Sequence, residues 1–210
     1  MSNLISLQDI AKINLGLNLS QSKEGDNLSK NHHYKILSLK NFNQSVCLKE
    51  NYITENLSRA VPLDKKFIIH SNDILVKLVA PISAIFIQNA PPNLIYTHFI
   101  AKISPTSKIF EPEFLAFYIH YAMSIRKQLM ANTLQSTAVA LIKLSDLSKI
   151  TIPLITSLKQ NKLINALKAI ERKNEIFRSL ILQNQAFSKA ILDTFTTDEK
   201  FANSTHKDTL

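Results

Sequence analysis

The segment SLKQNKLINALKAIERKNEIFRSLILQNQAFSKAILDT, residues 157–194, contains neither proline nor glycine. Lys, Gln, Asn, Glu and Arg alternate in it with Leu, Ile and Phe, which predicts one uninterrupted α-helix. At ~1.5 Å per residue, roughly 38 residues extend over about 57 Å, far more than the interior of a domain of this size requires. The segment therefore predicts a helix that needs contacts outside its own domain.

Apolar residues on this helix form a stripe with a mean spacing of about 3.5 residues, the repeat of a coiled coil. Its members, which include two asparagines on the same seam, are Leu163, Leu167, Ile170, Asn174, Phe177, Ile181, Asn184 and Ile191. Such a stripe predicts a partner helix, so we assign these residues to a dimer interface. The alternative is a helix folded back onto its own domain, because seven-residue spacing can also arise by coincidence.

The sequence before residue 153 has a different texture, with short apolar runs separated by polar breaks. This texture is typical of a mixed sheet with few helices. Strands are predicted at residues 34–39, 67–70, 74–79, 84–87 and 99–103, and an extended segment at 150–152. One helix is predicted from Pro112, because Phe114, Leu115, Tyr118, Ala122, Ile125 and Leu129 fall three or four residues apart.

The predicted fold class is therefore α+β. We expect a mixed-sheet domain over residues 1–155, a long helix over 156–197 and a polar tail over 198–210.

The composition excludes several classes of enzyme. The chain has only two glycines, Gly16 and Gly25, whereas Walker A, Rossmann and glycine-dependent S-adenosylmethionine loops need glycines at fixed offsets. The histidines lack the spacing of a zinc helix, and nothing in the sequence nominates a base for Cys47. We therefore expect no cofactor, no metal and no catalytic activity.

The sequence also bears on the compartment. One cysteine permits no internal disulfide, which predicts a reducing environment. The N-terminus lacks the basic start and apolar run of a signal peptide. Residues 78–101 carry no charge, but Pro81, Pro91 and Pro92 interrupt them, which favours buried sheet over a membrane span. We expect a cytoplasmic protein that does not bind a membrane.

The charge suggests a polyanionic partner. The formal net charge is +9, of which +6 lies in residues 1–155 and +3 in the remainder. Lys40-Asn41-Phe42-Asn43-Gln44 and Lys65-Lys66 combine basic residues with amides, which can contact phosphates and base edges. We therefore predict DNA contacts from Lys40, Asn41, Asn43, Gln44, Lys65 and Lys66. The alternative for each loop is an ordinary solvated turn.

Five short segments, in this order along the chain, resemble the specificity subunit of type I restriction-modification systems. They are residues 7–13 with Gly16, residues 34–41, Asp73-Ile74-Leu75-Val76, a closing set (Ser136-Thr137, 144–147 and 150–154), and Gln160 with Leu163-Ile164. Two positions where the family usually has glycine, around Val79-Ala80 and Gln135, have none. The resemblance covers nearly the whole chain and adds Ser136, Thr137 and Lys143 to the candidate DNA-binding residues.

The resemblance implies a half-length subunit. The family normally has two target recognition domains, each followed by a long helix, and the two helices pack antiparallel. This sequence has one of each, so the resemblance implies a homodimer paired through an antiparallel coiled coil. It also implies a non-catalytic subunit that directs a DNA adenine methyltransferase and a restriction subunit to an interrupted palindrome in double-stranded DNA. The alternatives are a recognition-domain adaptor of another phage-defence or regulatory system, and a protein-interaction module with degraded DNA loops.

Overall fold

A computed structural model describes residues 3–19, 32–43, 45–48, 52–59, 61–130 and 141–204. The chain divides into two units, Met1–Leu167 and Lys168–Leu210. The first unit contains every described strand and the start of the long helix, and the second contains the rest of that helix.

Besides strands and α-helices, the described part of the first unit contains the short 3-10 helices Leu39–Asn43 and Lys65–Phe67. The strands are β1 (Leu4–Ser6), β2 (Ala11–Leu15), β3 (His32–Leu37), β4 (Cys47–Leu48), β5 (Thr54–Arg59), β6 (Ile74–Lys77), β7 (Ser83–Ile87), β8 (Leu94–Ile95), β9 (Ile100–Pro105) and β10 (Thr151–Pro153). The helices are α1 (Leu7–Ile10), α2 (Pro112–Tyr121), α3 (Met123–Met130), α4 (Leu144–Ser148) and α5 (Ser157–Ser204).

The described strands of the first unit form three sheets. A five-stranded sheet has the order β2-β9-β6-β7-β4, antiparallel except where β4 runs parallel to β7. A three-stranded sheet has the order β5-β3-β8, with β3 antiparallel to β5 and parallel to β8. Strands β1 and β10 pair antiparallel, so the beginning and the end of this unit lie together.

The middle strands of the large sheet are apolar on both faces because both faces are covered. Val76 and Phe86 face a core shared with α2. Leu75 and Ile85 face the opposite way, into a second core that contains Tyr96. The two cores explain why β6 and β7 appear in the sequence as continuous apolar runs.

The α+β class is confirmed, and most of the predicted strands are present within a few residues of their expected ends. The strand predicted at 67–70 is wrong. The Asp64 carboxylate accepts a hydrogen bond from the Lys66 backbone N–H (2.9 Å) and caps the 3-10 helix Lys65–Phe67, while Ile68 makes an isolated bridge to Ile95. A local side-chain to backbone bond competes here with strand pairing.

The single helix predicted from Pro112 is two helices. Ala122 adopts an extended conformation (φ −69°, ψ 122°) and separates α2 from α3. A hydrogen bond between the Tyr118 and Ser124 hydroxyls (3.0 Å) spans the break. Ile125 and Leu129 still reach the core, which is why the apolar spacing conceals the interruption.

Helix α5 begins at Ser157 as predicted and continues beyond residue 194 to Ser204. The polar tail expected from residue 198 is therefore helical through Ser204, because no proline or glycine stops the helix. Residues 205–210 lie outside the described residues. In the second unit, every side chain from residue 172 to residue 195 is exposed. None of the helices in the described ranges is long and apolar enough to cross a membrane.

Candidate nucleic-acid interface

Asp73 is the first residue of Asp73-Ile74-Leu75-Val76, one of the five segments that carry the family resemblance, and it is buried. Its carboxylate accepts hydrogen bonds from the His70 backbone N–H (2.7 Å) and the Ser104 hydroxyl, and lies 3.6 Å from the buried Lys102 ammonium. Burial, together with the Asp73 charge, raises the pKa of the nearby Tyr96 phenol. The phenol therefore stays protonated and donates to the Lys66 carbonyl (3.0 Å). The motif reflects folding rather than contact with a ligand.

Gln160 has a similar structural role at the start of α5. Its side-chain amide donates to the carbonyls of Ile109 (2.9 Å) and Ile155 (3.0 Å), and its oxygen accepts from the Glu111 backbone N–H (2.8 Å). The side chain is fully buried. Gln160 therefore fixes the first turn of α5 to the segment that precedes α2.

Gly16 is required by close packing. The position of a Cβ atom there would lie 2.2 Å from the Thr97 carbonyl oxygen, so any side chain would displace the backbone. The glycine in the first recognised segment is thus explained by the fold as well.

Asn41, one of the predicted DNA-binding residues, lies in the interior of the protein. Its side chain is fully buried, and its amide donates to the carbonyls of Ser38 and Ile53, both at 2.8 Å. Its oxygen accepts from the Ile53 backbone N–H (3.0 Å). These bonds use the polar groups that base recognition would need, and they join the end of β3 to the start of β5.

The other predicted residues lie on three separate elements. Lys40 and Asn43 are exposed on the 3-10 helix Leu39–Asn43, and Lys65 and Lys66 are exposed on the second 3-10 helix. Lys143 is exposed at the N-terminal cap of α4. The predicted residues outside the described ranges are Gln44, Ser136 and Thr137.

Lys66 has an acidic neighbour. Its ammonium lies 3.5 Å from the Asp64 carboxylate and 5.0 Å from the centre of the Phe67 ring. The hydrogen bond from the Lys66 backbone N–H lowers the pKa of Asp64, with the Lys66 charge contributing further. Asp64 is therefore ionised at neutral pH, and Lys66 is partly neutralised by it.

A further polar surface, which sequence reasoning did not find, lies on the three-stranded sheet. Tyr34 and Ile36 of β3 point into the protein, so His33 and Lys35 point to solvent. On β5, Ser58 lies opposite His33 and Asn56 lies opposite Lys35. We call these four residues, His33, Lys35, Asn56 and Ser58, the β3–β5 face.

The β3–β5 face has the shape and chemistry of a binding surface. Together with Pro92 and Asn93 it lines a concavity of about 370 Å³, and no carboxylate contributes to the lining. The His33 ring nitrogen and the Ser58 hydroxyl are 3.0 Å apart. An imidazole, an ammonium, an amide and a hydroxyl can together contact phosphates and base edges.

A second concavity, of about 480 Å³, is less suited to a polyanion. Its lining includes Asp73 and Glu111 beside Lys108 and several hydroxyl groups. Within the described ranges there is no group of three His, Cys, Asp or Glu side chains that could hold a metal ion.

Comparison with known proteins gives a family match and several structural matches, three of which are described below. The model of the type I restriction modification DNA specificity domain matches residues 2–183. A chain from a structure of the assembly and conformational transition of the type I R-M system is 17% identical with a TM-score of 0.58, and the match covers 92% of this chain and 43% of that one. No curated protein gives a significant match.

Two further solved structures share the fold. The HsdS subunit from Thermoanaerobacter tengcongensis is 17% identical with a TM-score of 0.53, over 81% of this chain and 37% of that one. The S subunit of a type I restriction-modification system from M. genitalium is 17% identical with a TM-score of 0.51, over 88% and 43%. The present chain thus spans less than half of the length of each structure. Because the family model matches residues 2–183, the chain belongs to the family of type I restriction-modification DNA specificity domains.

Proposed function

We propose that this chain is the DNA sequence-recognition subunit of a type I restriction-modification complex and catalyses no reaction itself. The family match carries the proposal, because it includes the mixed-sheet unit and more than half of α5. The partners are double-stranded DNA, DNA adenine methyltransferase subunits, a restriction subunit and a second copy of the chain.

The β3–β5 face is the proposed centre of base recognition. Its polar groups are held by paired strands, so their spacing is fixed before DNA binds. Lys40, Asn43, Lys65, Lys66 and Lys143 are exposed and supply further contacts to DNA, mainly to phosphates. The predicted contacts from Gln44, Ser136 and Thr137 remain part of the proposal.

The homodimer is supported by α5. Among the predicted interface residues, Leu163, Ile170, Phe177, Ile181 and Ile191 are all exposed in the single chain. From Leu163 to Phe195 the helix extends ~48 Å, and a stripe ~10 Å wide on two such helices amounts to ~1,000 Å², about the minimum for a specific interface. Exposed apolar surface of this extent indicates a protein partner.

The target of such a dimer is an interrupted palindrome. Two identical recognition units related by a twofold axis present the same side chains to opposite DNA strands, so they read the same half-site in inverted orientation. The bases between the half-sites are not contacted, so they vary in sequence but not in number.

Methylation mapping tests the proposal in cells that contain this chain with its methyltransferase and restriction partners. We expect methylated adenines within one interrupted palindrome. Two unrelated half-sites would contradict the homodimer, and a continuous site would contradict the uncontacted bases that we propose between the half-sites. If the purified chain fails to bind DNA even with the methyltransferase present, the alternative of a protein-interaction module with degraded DNA loops is correct. A chain that binds DNA but does not pull down the methyltransferase is instead a recognition-domain adaptor of another system.

A further inference from the structure

Helix α5 carries a seam that is longer than the predicted interface and has polar residues at defined places. Ser188 and Phe195 continue the alternating four- and three-residue spacing of the predicted stripe. The α5 seam therefore consists of Leu163, Leu167, Ile170, Asn174, Phe177, Ile181, Asn184, Ser188, Ile191 and Phe195. The Ser188 hydroxyl already donates to the Asn184 carbonyl within the helix (2.9 Å). A partner helix must therefore provide hydrogen-bond partners for the side-chain amides of Asn174 and Asn184.

The two asparagines are placed symmetrically about Ser179. In an antiparallel pair of identical helices, residues at equal distances from the twofold axis face each other. With the axis at Ser179, the layers are Leu163–Phe195, Leu167–Ile191, Ile170–Ser188, Asn174–Asn184 and Phe177–Ile181, the second residue of each belonging to the other helix. Leu167 is half-buried against the core of the first unit, so only the exposed part of its side chain is available to its layer. This register gives both amides of each helix an amide partner.

The neighbouring antiparallel registers do not give the two amides an amide partner. A slip of one heptad in one direction places Asn174 opposite Phe177 and Asn184 opposite Leu167. A slip in the other direction places Asn174 opposite Ile191 and Asn184 opposite Ile181. Each slip buries the amides against apolar side chains, and an unpaired buried amide is costly. Single asparagines on coiled-coil seams select register for this reason.

A parallel pair of helices without stagger would also give each asparagine an amide partner, because each asparagine would face the same residue of the other helix. It would place Lys173 of each helix beside Arg178 of the other, two repulsive contacts per dimer, and it would align the helix dipoles. The antiparallel register opposes the dipoles and leaves only Arg178 near its own copy at the axis. Arg178 is exposed, so its long side chain can turn away into solvent.

We infer that α5 docks on a second copy of itself in an antiparallel register centred on Ser179, in which Asn174 of each helix hydrogen-bonds Asn184 of the other. The inference rests on the proposed homodimer and adds its register.

Mixing two full-length variants, Asn174→Leu and Asn184→Leu, tests the pairing. Each variant alone forms a homodimer with two Asn–Leu layers, whereas their heterodimer has one Asn–Asn layer and one Leu–Leu layer. With one variant labelled by ¹⁵N, native mass spectrometry measures both homodimers and the heterodimer. The squared heterodimer concentration divided by the product of the two homodimer concentrations should exceed its statistical value by about tenfold or more. Statistical mixing would overturn the register, and depleted heterodimers would indicate the parallel pair.

Spin labels give an independent measure of the same register. In a Cys47→Ser background, single labels are placed at Arg172 and Ala186, which are exposed and on the same side of the helix. In the inferred register each label is offset along the axis from its own copy by ~21 Å, so the two variants should give equal distances. Slipped registers give offsets of ~10 Å at one site and ~31 Å at the other, and a parallel pair gives offsets near zero at both sites.

These experiments separate the two proposals. A protein that stays monomeric at high concentration overturns both the homodimer and its register. A dimer with statistical mixing and unequal label distances overturns the register alone and leaves the homodimer in place.

Discussion

Strand β3 and helix α5 each present a periodic face to solvent, but the two faces differ in chemistry. The exposed positions of β3 are His33 and Lys35, and those of the α5 seam are mainly Leu, Ile and Phe. A polar face is stable in water without a partner, whereas a long apolar stripe is not. This difference in chemistry is the basis on which we propose a charged ligand for the strand and a protein partner for the helix.

The largest effect, loss of the dimer, is expected from placing charges on the apolar seam of α5. Replacing Ile170 and Phe177 by Asp puts four carboxylates into the interface of each dimer, where a buried unpaired charge is strongly unfavourable. We expect a monomer of unchanged fold, measured by light scattering with circular dichroism. The matched control is Ile176→Asp with Leu182→Asp, which changes two apolar residues that are at least as exposed but lie off the seam, and it should leave the dimer intact. A dimer mass for the seam variant would refute the interface.

Charge reversal at Lys65 and Lys66 should produce the next largest effect. Changing both to Glu removes phosphate contacts, so affinity should fall for all duplexes alike. The slope of log K against log salt should decrease by about 0.9 for each lost contact. Binding measured by fluorescence anisotropy over a salt series checks this, with Lys189→Glu on α5 as the control. A change in sequence preference would mean that these lysines contact bases.

The β3–β5 face should determine which sequence is bound. Asn56→Ala removes an amide that can bond a base edge in two places, at a cost of about 1–3 kcal/mol for the preferred base. We therefore expect about a tenfold loss of discrimination at one position of each half-site, with little change in binding to unrelated DNA. The neighbouring Glu55→Gln should leave the preference unchanged, because Glu55 lies on the other side of the strand. Selection from randomised duplexes measures both.

The two asparagines of the 3-10 helix after β3, Asn41 and Asn43, provide a comparison within one segment. Asn41 makes three hydrogen bonds to backbone, so Asn41→Ala should lower the free energy of unfolding by about 1–3 kcal/mol. Asn43 is exposed, and Asn43→Ala should change stability by less than about 0.5 kcal/mol. Urea unfolding of both variants checks the difference. Equal stabilities would contradict the structural role assigned to Asn41.

Structural features that depend on a periodic pattern of residues could be predicted from the sequence. Features that depend on a single contact could not. The heptad spacing of α5 and the apolar runs of β6 and β7 could be recognised because many residues repeat the same signal. Asn41 and Asn43 are the same residue type two positions apart, so the sequence does not distinguish them. Only the fold shows that Asn41 is buried and Asn43 is exposed. The β3–β5 face was missed because its four residues are adjacent only after β5 pairs with β3. The 3-10 helix at Lys65–Phe67 was missed because one Asp64 hydrogen bond selects it.

The smallest expected effect concerns the acidic neighbour of Lys66. Asp64→Asn removes a negative charge 3.5 Å from the Lys66 ammonium while keeping an oxygen that can accept from the Lys66 backbone N–H. DNA affinity should rise by about twofold to fivefold at low salt, and the gain should disappear at high salt because both groups are exposed and screened. The pKa of Asp64 is lowered in the folded protein, so the carboxylate stays ionised from neutral pH down to its usual range near pH 4. The ratio of variant to wild-type affinity should therefore be constant between pH 5 and pH 8. A gain that persists at high salt, or that shrinks as the pH falls toward 5, would show that Asp64 acts on DNA binding by a route other than the Lys66 charge.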